Sequence, residues 1–195
     1  MDWLGTWGVA MGAAWLSGIR LYASVLTLGL LQRFGFAHLP GDLRVLGDWW
    51  VIAAAALLLC VEFVADKIPA VDSAWDAVHT FIRVPAGAVL AAAAFGHFDS
   101  RVRLLAFLLG GGVALASHTT KAAARLAVNA SPEPFSNIAL STAEDAGSVG
   151  LSLLAAFHPV VMLALVAVLV VTGILIVRKV ARGVRGLFRA MPGRP

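Results

Sequence analysis

The chain has 195 residues, of which 60% are hydrophobic and 13% charged, with a mean hydropathy of +0.87. A soluble domain carries about 25% charged residues, so this composition excludes an ordinary soluble globule and reads as an all-α integral membrane protein one domain in size. The net charge of +4 is no nucleic-acid signal, because residues 1–177 hold nine Lys/Arg against eleven Asp/Glu and the tail 178–195 adds six basic residues and no acid.

Along the chain, apolar stretches keep ending at charged residues. The first runs from Trp3 to about Leu31 and is interrupted at Ser17-Gly18-Ile19-Arg20. One straight helix of that length would be about 43 Å long, more than the hydrocarbon thickness. Strong tilt, a break at Gly18 and a re-entrant hairpin are each compatible with it. Met1 to Ser17 lacks a basic leader region and reads as a retained helix. Arg33 to Asp48 is a polar loop with turn chemistry at Leu39-Pro40-Gly41-Asp42. Trp49 and Trp50 mark an interfacial entry to a second helix ending near Asp66. Lys67-Ile68-Pro69 stops it, and a third helix follows from about Asp72 to Gly96, with a kink expected at Pro85.

The fourth segment spans about Val102 to Asn129, where Gly110-Gly111-Gly112 permits close helix contact. Ser131-Pro132-Glu133 has the form of an N-cap, a proline at the first helical position and an acid in the first turn. A fifth helix therefore starts there and reaches about Phe157. Pro159 to Val177 is the one long run free of charge. Six segments result, divisible into halves 1–97 and 98–177 and followed by the basic tail 178–195. Two three-helix halves in opposite orientation form a 3+3 inverted repeat, with broken or re-entrant helices, a plan that recurs in transporters. The positive-inside rule places the tail in the cytoplasm, and six spans would return the N-terminus to the same side. Cys60 is the single cysteine, so no disulfide or Cys-based metal site can form.

Polar residues at three- and four-residue spacing share a helix face. The third helix carries Asp72, Asp76, His79 and Arg83; the fourth His118, Lys121, Arg125 and Asn129; the fifth Asn137, Ser141, Glu144, Ser148 and Ser152. Glu62 and Asp66 add a pair on the second, and Arg20, Asp145 and Lys67 complete the set. Intramembrane charge is costly and marks functional sites by default. Nearly equal numbers of acids and bases also fit a purely structural ion-pair network. The histidines, His79 and His118, suit a proton relay, although a helical histidine is more often structural. An oxygen-rich Mg²⁺ or Ca²⁺ site from Asp66, Asp72, Asp76 and Glu144-Asp145 is opposed by the neighbouring Lys and Arg, and no metal or other cofactor is expected. There is no HExxH, GxSxG or P-loop motif, so no enzyme chemistry is read.

The stretches Val61-Glu62-Phe63-Val64-Ala65-Asp66-Lys67-Ile68-Pro69, Val71-Asp72-Ser73-x-Trp75-Asp76 and Thr80-Phe81-Ile82-Arg83-x-Pro85-Ala86-Gly87-Ala88 form a specific set with Ser117-His118-x-x-Lys121 and Ser131-Pro132-Glu133-Pro134-Phe135-Ser136-Asn137…Glu144-Asp145. Together they resemble a family of small bacterial inner-membrane proteins known only as a domain of unknown function, over roughly Ser17 to Val177. The resemblance implies a multi-pass inner-membrane protein and no particular substrate.

These readings converge on a small transporter or channel-like permease for an ion or solute. Glu144 and Asp145 would bind a cation or proton, Lys121 and Arg125 would attract an anionic group or neutralise the acids, and Glu62 and Asp66 would gate or pair with them. Handling of an anionic, phosphorylated lipid and a non-catalytic scaffold are the alternatives. The expected partners are the lipid bilayer and the small ion, solute or anionic lipid, with a homo-oligomer left open and no nucleic acid.

Overall fold

The computed structural model describes residues 2–65, 69–129 and 134–190. They form six α-helices, α1 (Trp3–Arg33), α2 (Trp49–Ala65), α3 (Pro69–Ala94), α4 (Ser100–Asn129), α5 (Pro134–Phe157) and α6 (Pro159–Ala190), with a short 3₁₀ turn at Gly41–Gly47 before α2. No strand occurs among the described residues. Asp66, Lys67 and the Ser131-Pro132-Glu133 cap lie outside the described residues, as do the side chains of Asp72, Asn129 and Asn137. Asp2 caps α1 by accepting from the Gly5 amide at 2.8 Å, which satisfies one of the free donors of the first turn. Pro85 sits inside a continuous α3, and α6 runs past Val177 through the basic segment to Ala190.

Four helices are long and apolar enough to cross a membrane: Trp3–Arg33, Trp75–Ala94, Ser100–Leu126 and Pro159–Gly183. A fifth candidate arises if Gly41–Gly47 and Trp49–Ala65, bent by 69°, form one span. α5 is not among them, because Ser141, Glu144, Asp145, Ser148 and Ser152 dilute its apolar content. Among the described residues six equivalent apolar spans are therefore not present. The burial pattern is inverted relative to a soluble protein: Phe81 is 83% and Trp50 88% exposed, whereas Arg20, Glu62 and Arg83 are 0% exposed. A large apolar exterior of this kind belongs against lipid.

α1 is the axis of the bundle and touches every other helix. It is not straight. Arg20 has φ −144° and ψ 76°, outside the helical region, and the chain doubles back there. The Leu39 amide donates to Gln32 Oε1 at 2.7 Å, while Leu39 and Gly41 line one cavity with Thr6, Ala94 and His97. A straight helix would hold Thr6 and Gln32 about 39 Å apart, too far to share these neighbours. So α1 is a hairpin: a first arm Trp3–Ile19, a tip at Arg20, and a second arm returning to the end where it began.

The other helices run between the two ends. Trp7 meets Phe95 (ring centroids 4.6 Å) and Ser17 Oγ donates to the Arg83 carbonyl at 2.6 Å, so α3 is antiparallel to the first arm. Gly110 faces Ala91 and Lys121 reaches Asp76, so α4 is antiparallel to α3. α5 passes from Ser141 beside Arg20 to Ala155 beside Gly12. α6 starts with Pro159 against Gly8 and Met162 against Gly12, then reaches Gly173 against Thr120. Five helices thus traverse the bundle and the hairpin does not. An odd number of traverses places Asp2 and Ala190, the outermost described residues, at opposite ends of the bundle, against the expectation that both ends of the bundle's chain lie on one side.

The triple glycine is also narrower in role than its sequence suggests. A Cβ on Gly110 would collide with Ala91 Cβ, one on Gly111 would make ordinary contact with Ala88, and Gly112 faces open space.

Candidate functional site

The hairpin tip brings Arg20 into the centre of a charged cluster drawn from five helices. From α5, Glu144 Oε2 lies 3.5 Å and Asp145 Oδ1 3.2 Å from the guanidinium, and Arg20 donates to Ser141 Oγ at 2.9 Å and to the Ser141 carbonyl at 3.3 Å. From α2, Glu62 Oε1 is 3.8 Å away. Glu62 in turn makes a close ion pair with Arg83 of α3, whose other nitrogen binds Asp76 Oδ1 at 2.6 Å. On α4, Lys121 reaches the same Asp76 oxygen at 3.1 Å and Glu144 at 3.8 Å. Arg125 grips Glu144 with two nitrogens, at 2.7 and 3.4 Å. Four carboxylates thus face four cations.

The broken backbone is part of the site. The turn at Arg20 directs the carbonyls of Gly18 and Ile19 at α4, where Gly18 accepts from His118 Nδ1 at 3.3 Å and Ile19 from Lys121 Nζ at 3.3 Å. Non-helical backbone at membrane depth requires such partners, since lipid offers none. Gly18 is glycine because the arm lies directly on α4: a Cβ would collide with Ser117 Oγ and the Ala114 carbonyl.

Two histidines flank the cluster. His79 Nδ1 is 2.8 Å from the Trp75 carbonyl, which can only accept, so Nδ1 carries the proton and Nε2 accepts from the Tyr22 hydroxyl at 3.1 Å. The Trp75 indole stacks on the same ring with centroids 4.1 Å apart. His118 Nε2 is 2.7 Å from Thr80 Oγ1, and that hydroxyl is also 3.0 Å from the Asp76 carbonyl. The cluster is not fully satisfied: Glu62 Oε2, Arg83 Nε and Trp75 Nε1 are buried without a hydrogen-bond partner among the described residues.

The family model for the domain of unknown function DUF4126 matches residues 8–179, which takes in the hairpin tip and all of this cluster. The chain belongs to the DUF4126 family. No curated protein and no solved structure matches it.

In this DUF4126 member, eleven of the expected site residues come together: Arg20, Glu62, Asp76, His79, Arg83, His118, Lys121, Arg125, Ser141, Glu144 and Asp145. Asp66 and the side chains of Asp72 and Asn137 lie outside the described residues. One expected pairing is wrong. Glu62 faces Arg83 and Arg20 rather than Lys121 and Arg125, because α2 packs on α1 and α3 while α4 lies on their far side. The acids opposed to Lys121 and Arg125 are Asp76 and Glu144. Among the described residues no three His, Cys, Asp or Glu side chains are placed to hold a metal ion, and Asp76 and Glu144 are already taken by cations.

Sequence reasoning missed Tyr22, Thr80 and the two carbonyls. Tyr22 is the only tyrosine, two residues past Arg20, and Thr80 lies four residues after Asp76; both spacings were readable. The carbonyls of Gly18 and Ile19 carry no side-chain signal.

Proposed function

We propose that this protein is a small secondary transporter or channel-like permease of the bacterial inner membrane, with its basic tail in the cytoplasm, that passes an ion or solute through the charged site at the tip of α1. The observation that carries this reading is the hairpin itself, a membrane-embedded turn whose tip presents backbone carbonyls and Arg20 to charges on other helices. Discontinuous helices that expose carbonyls to a charged pocket are the usual way a helix bundle builds an ion or substrate site.

Depth supports it as well. Pro159 to Val177 is about 28 Å long, close to a hydrocarbon core. Counting along α6 from Met162 beside Gly12 puts Arg20 about 16 Å in, near the middle. Lys121, near the level of Gly173, lies about 22 Å in. The cluster thus leads from the membrane centre toward the end that carries the tail. The 3+3 inverted repeat has support in direction: α2–α3 and α5–α6 run in opposite senses, as do the second arm of α1 and α4.

The equal count of four acids and four bases favours a second reading, a scaffold whose charges only hold the helices together. Against it stands the tip of α1, where the same cluster holds main-chain carbonyls that an unbroken helix would satisfy by itself.

The test is stopped-flow swelling of proteoliposomes challenged in turn with potassium chloride, potassium phosphate and glycerol. Flux of one of these, reduced at least tenfold in Glu144→Gln and Lys121→Ala, is expected. Flux that neither substitution alters, or none above empty vesicles, refutes the permease.

A further inference from the structure

We infer that His118 is the proton-loading site of this cluster, so that protons move through it, alone or with a co-transported solute. The inference rests on the permease reading and adds the coupling ion.

The donors and acceptors around His118 balance in both of its charge states. His118 Nδ1 faces the Gly18 carbonyl at 3.3 Å, an atom that only accepts, so Nδ1 holds a proton in either charge state. Nε2 faces the Thr80 hydroxyl at 2.7 Å. That hydroxyl has one proton and two acceptors in reach, Nε2 and the Asp76 carbonyl at 3.0 Å. With His118 neutral, Thr80 donates to Nε2 and turns away from Asp76. When a proton binds Nε2, the ring donates to Thr80 Oγ1, and the hydroxyl rotates to donate to the Asp76 carbonyl. Every polar hydrogen then has its own acceptor. The uptake needs a hydroxyl rotation and no side-chain displacement, and the proton leaves by the reverse steps.

His79 is built the other way. Its Nδ1 proton goes to the Trp75 carbonyl and its Nε2 accepts from Tyr22. A second proton on that ring would make Tyr22 an acceptor, and no other acceptor is within hydrogen-bond reach of its hydroxyl among the described residues. The two histidines of one cluster thus differ in kind. His79 is complete only when neutral, whereas His118 is complete in either charge state.

The charges around His118 give a loaded proton something to do. α3 turns Asp76 and Arg83 toward it, its own helix supplies Lys121, and α1 offers the Gly18 carbonyl. Arg83 and Lys121 oppose a charge on the ring, while Asp76 and the Gly18 carbonyl favour it, so a loaded proton is held only transiently. Once charged, His118 stands one helical turn from Lys121, and like charges on neighbouring turns repel. Lys121 is the residue that holds the Ile19 carbonyl of the hairpin tip. Loading His118 therefore shifts the hold of α4 on the tip, weakening Lys121 on Ile19 while the charged ring grips the Gly18 carbonyl more tightly.

The experiment uses the full chain in proteoliposomes loaded with a pH-sensitive dye, with an inside-negative potassium diffusion potential set by valinomycin. Wild type should acidify the lumen well above empty vesicles. His118→Gln should reduce the rate at least tenfold, Thr80→Val several-fold, and Thr80→Ser, which keeps the rotating hydroxyl, should stay near wild type. Thr80→Val is close to isosteric and stands in for His118→Gln if that variant does not fold. Acidification that is unchanged in either variant overturns the inference. Glu144-dependent swelling without acidification leaves the permease standing and removes the proton, whereas absence of both removes the two together.

Discussion

Arg83 offers the sharpest test of the charge cluster as a set of dry ion pairs. Its side chain is fully buried, closely paired with Glu62 and 2.6 Å from Asp76. Replacing it by methionine keeps the volume and removes the charge. Asp76 retains Lys121 at 3.1 Å, so that acid is largely covered. Among the described residues Glu62 retains only Arg20 at 3.8 Å, beyond hydrogen-bond reach, and its other oxygen has no partner there. Breaking a buried pair from one side costs about 3–5 kcal/mol, and the surviving contacts put Arg83→Met near the lower end. Glu62→Gln alone leaves Arg83 with Asp76 and should cost somewhat less, about 2 kcal/mol. The double variant should cost about the same as Arg83→Met, a coupling of about 2 kcal/mol where an exposed pair gives at most about 1. The assay is equilibrium unfolding of the purified protein in mild detergent titrated with dodecyl sulfate. An Arg83→Met cost below about 1 kcal/mol, or additive effects in the double variant, would show that these charges are solvated and refute the buried network.

Three further outcomes follow from the same geometry. Gly18→Ala must push the hairpin tip off α4, because its Cβ meets Ser117 Oγ and the Ala114 carbonyl; overpacking of this kind costs about 1–3 kcal/mol, and in the same unfolding assay a neutral result would contradict the close contact. Gly110→Ala should destabilise by a similar amount through its clash with Ala91, whereas Gly112→Ala should be neutral or stabilising by up to about 1 kcal/mol from helix propensity alone; equal effects at the two positions would disprove the packing. Reporter fusions that are active only in the periplasm or only in the cytoplasm should find the N- and C-termini on opposite sides, and same-side signals would rule out an odd number of traverses.

The sequence by itself determined most of the elements and much of the site's membership. Prolines, turn residues and paired tryptophans bounded the helices to within a few residues, as at Trp49 and Pro159, because those signals act on the local backbone. The stripes on α3, α4 and α5 were legible because a helix repeats its face every three to four residues, so Asp76 with Arg83, and His118 with Lys121 and Arg125, declare a common direction before any partner is known. Partner choice was not legible. Glu62 meets Arg83 and Arg20 because of how α2 sits against α1 and α3, and nothing in the spacing of Glu62 says so.

The sequence left tilt, a break and a re-entrant hairpin open at Ser17 to Arg20, and the tertiary structure decided for the reversal. It depends on the dihedral angles of one residue, Arg20. It is held by Ser17 on Arg83, Arg20 on Ser141, His118 on Gly18 and Lys121 on Ile19, contacts that join residues 66 to 121 positions apart. A local sequence of apolar, helix-forming residues with no stripe of its own carries no record of such distant partners. Only when α3, α4 and α5 surround the tip do they supply the hydrogen bonds that a turn inside a membrane requires, and that requirement turns a helix long enough to cross into one that goes back.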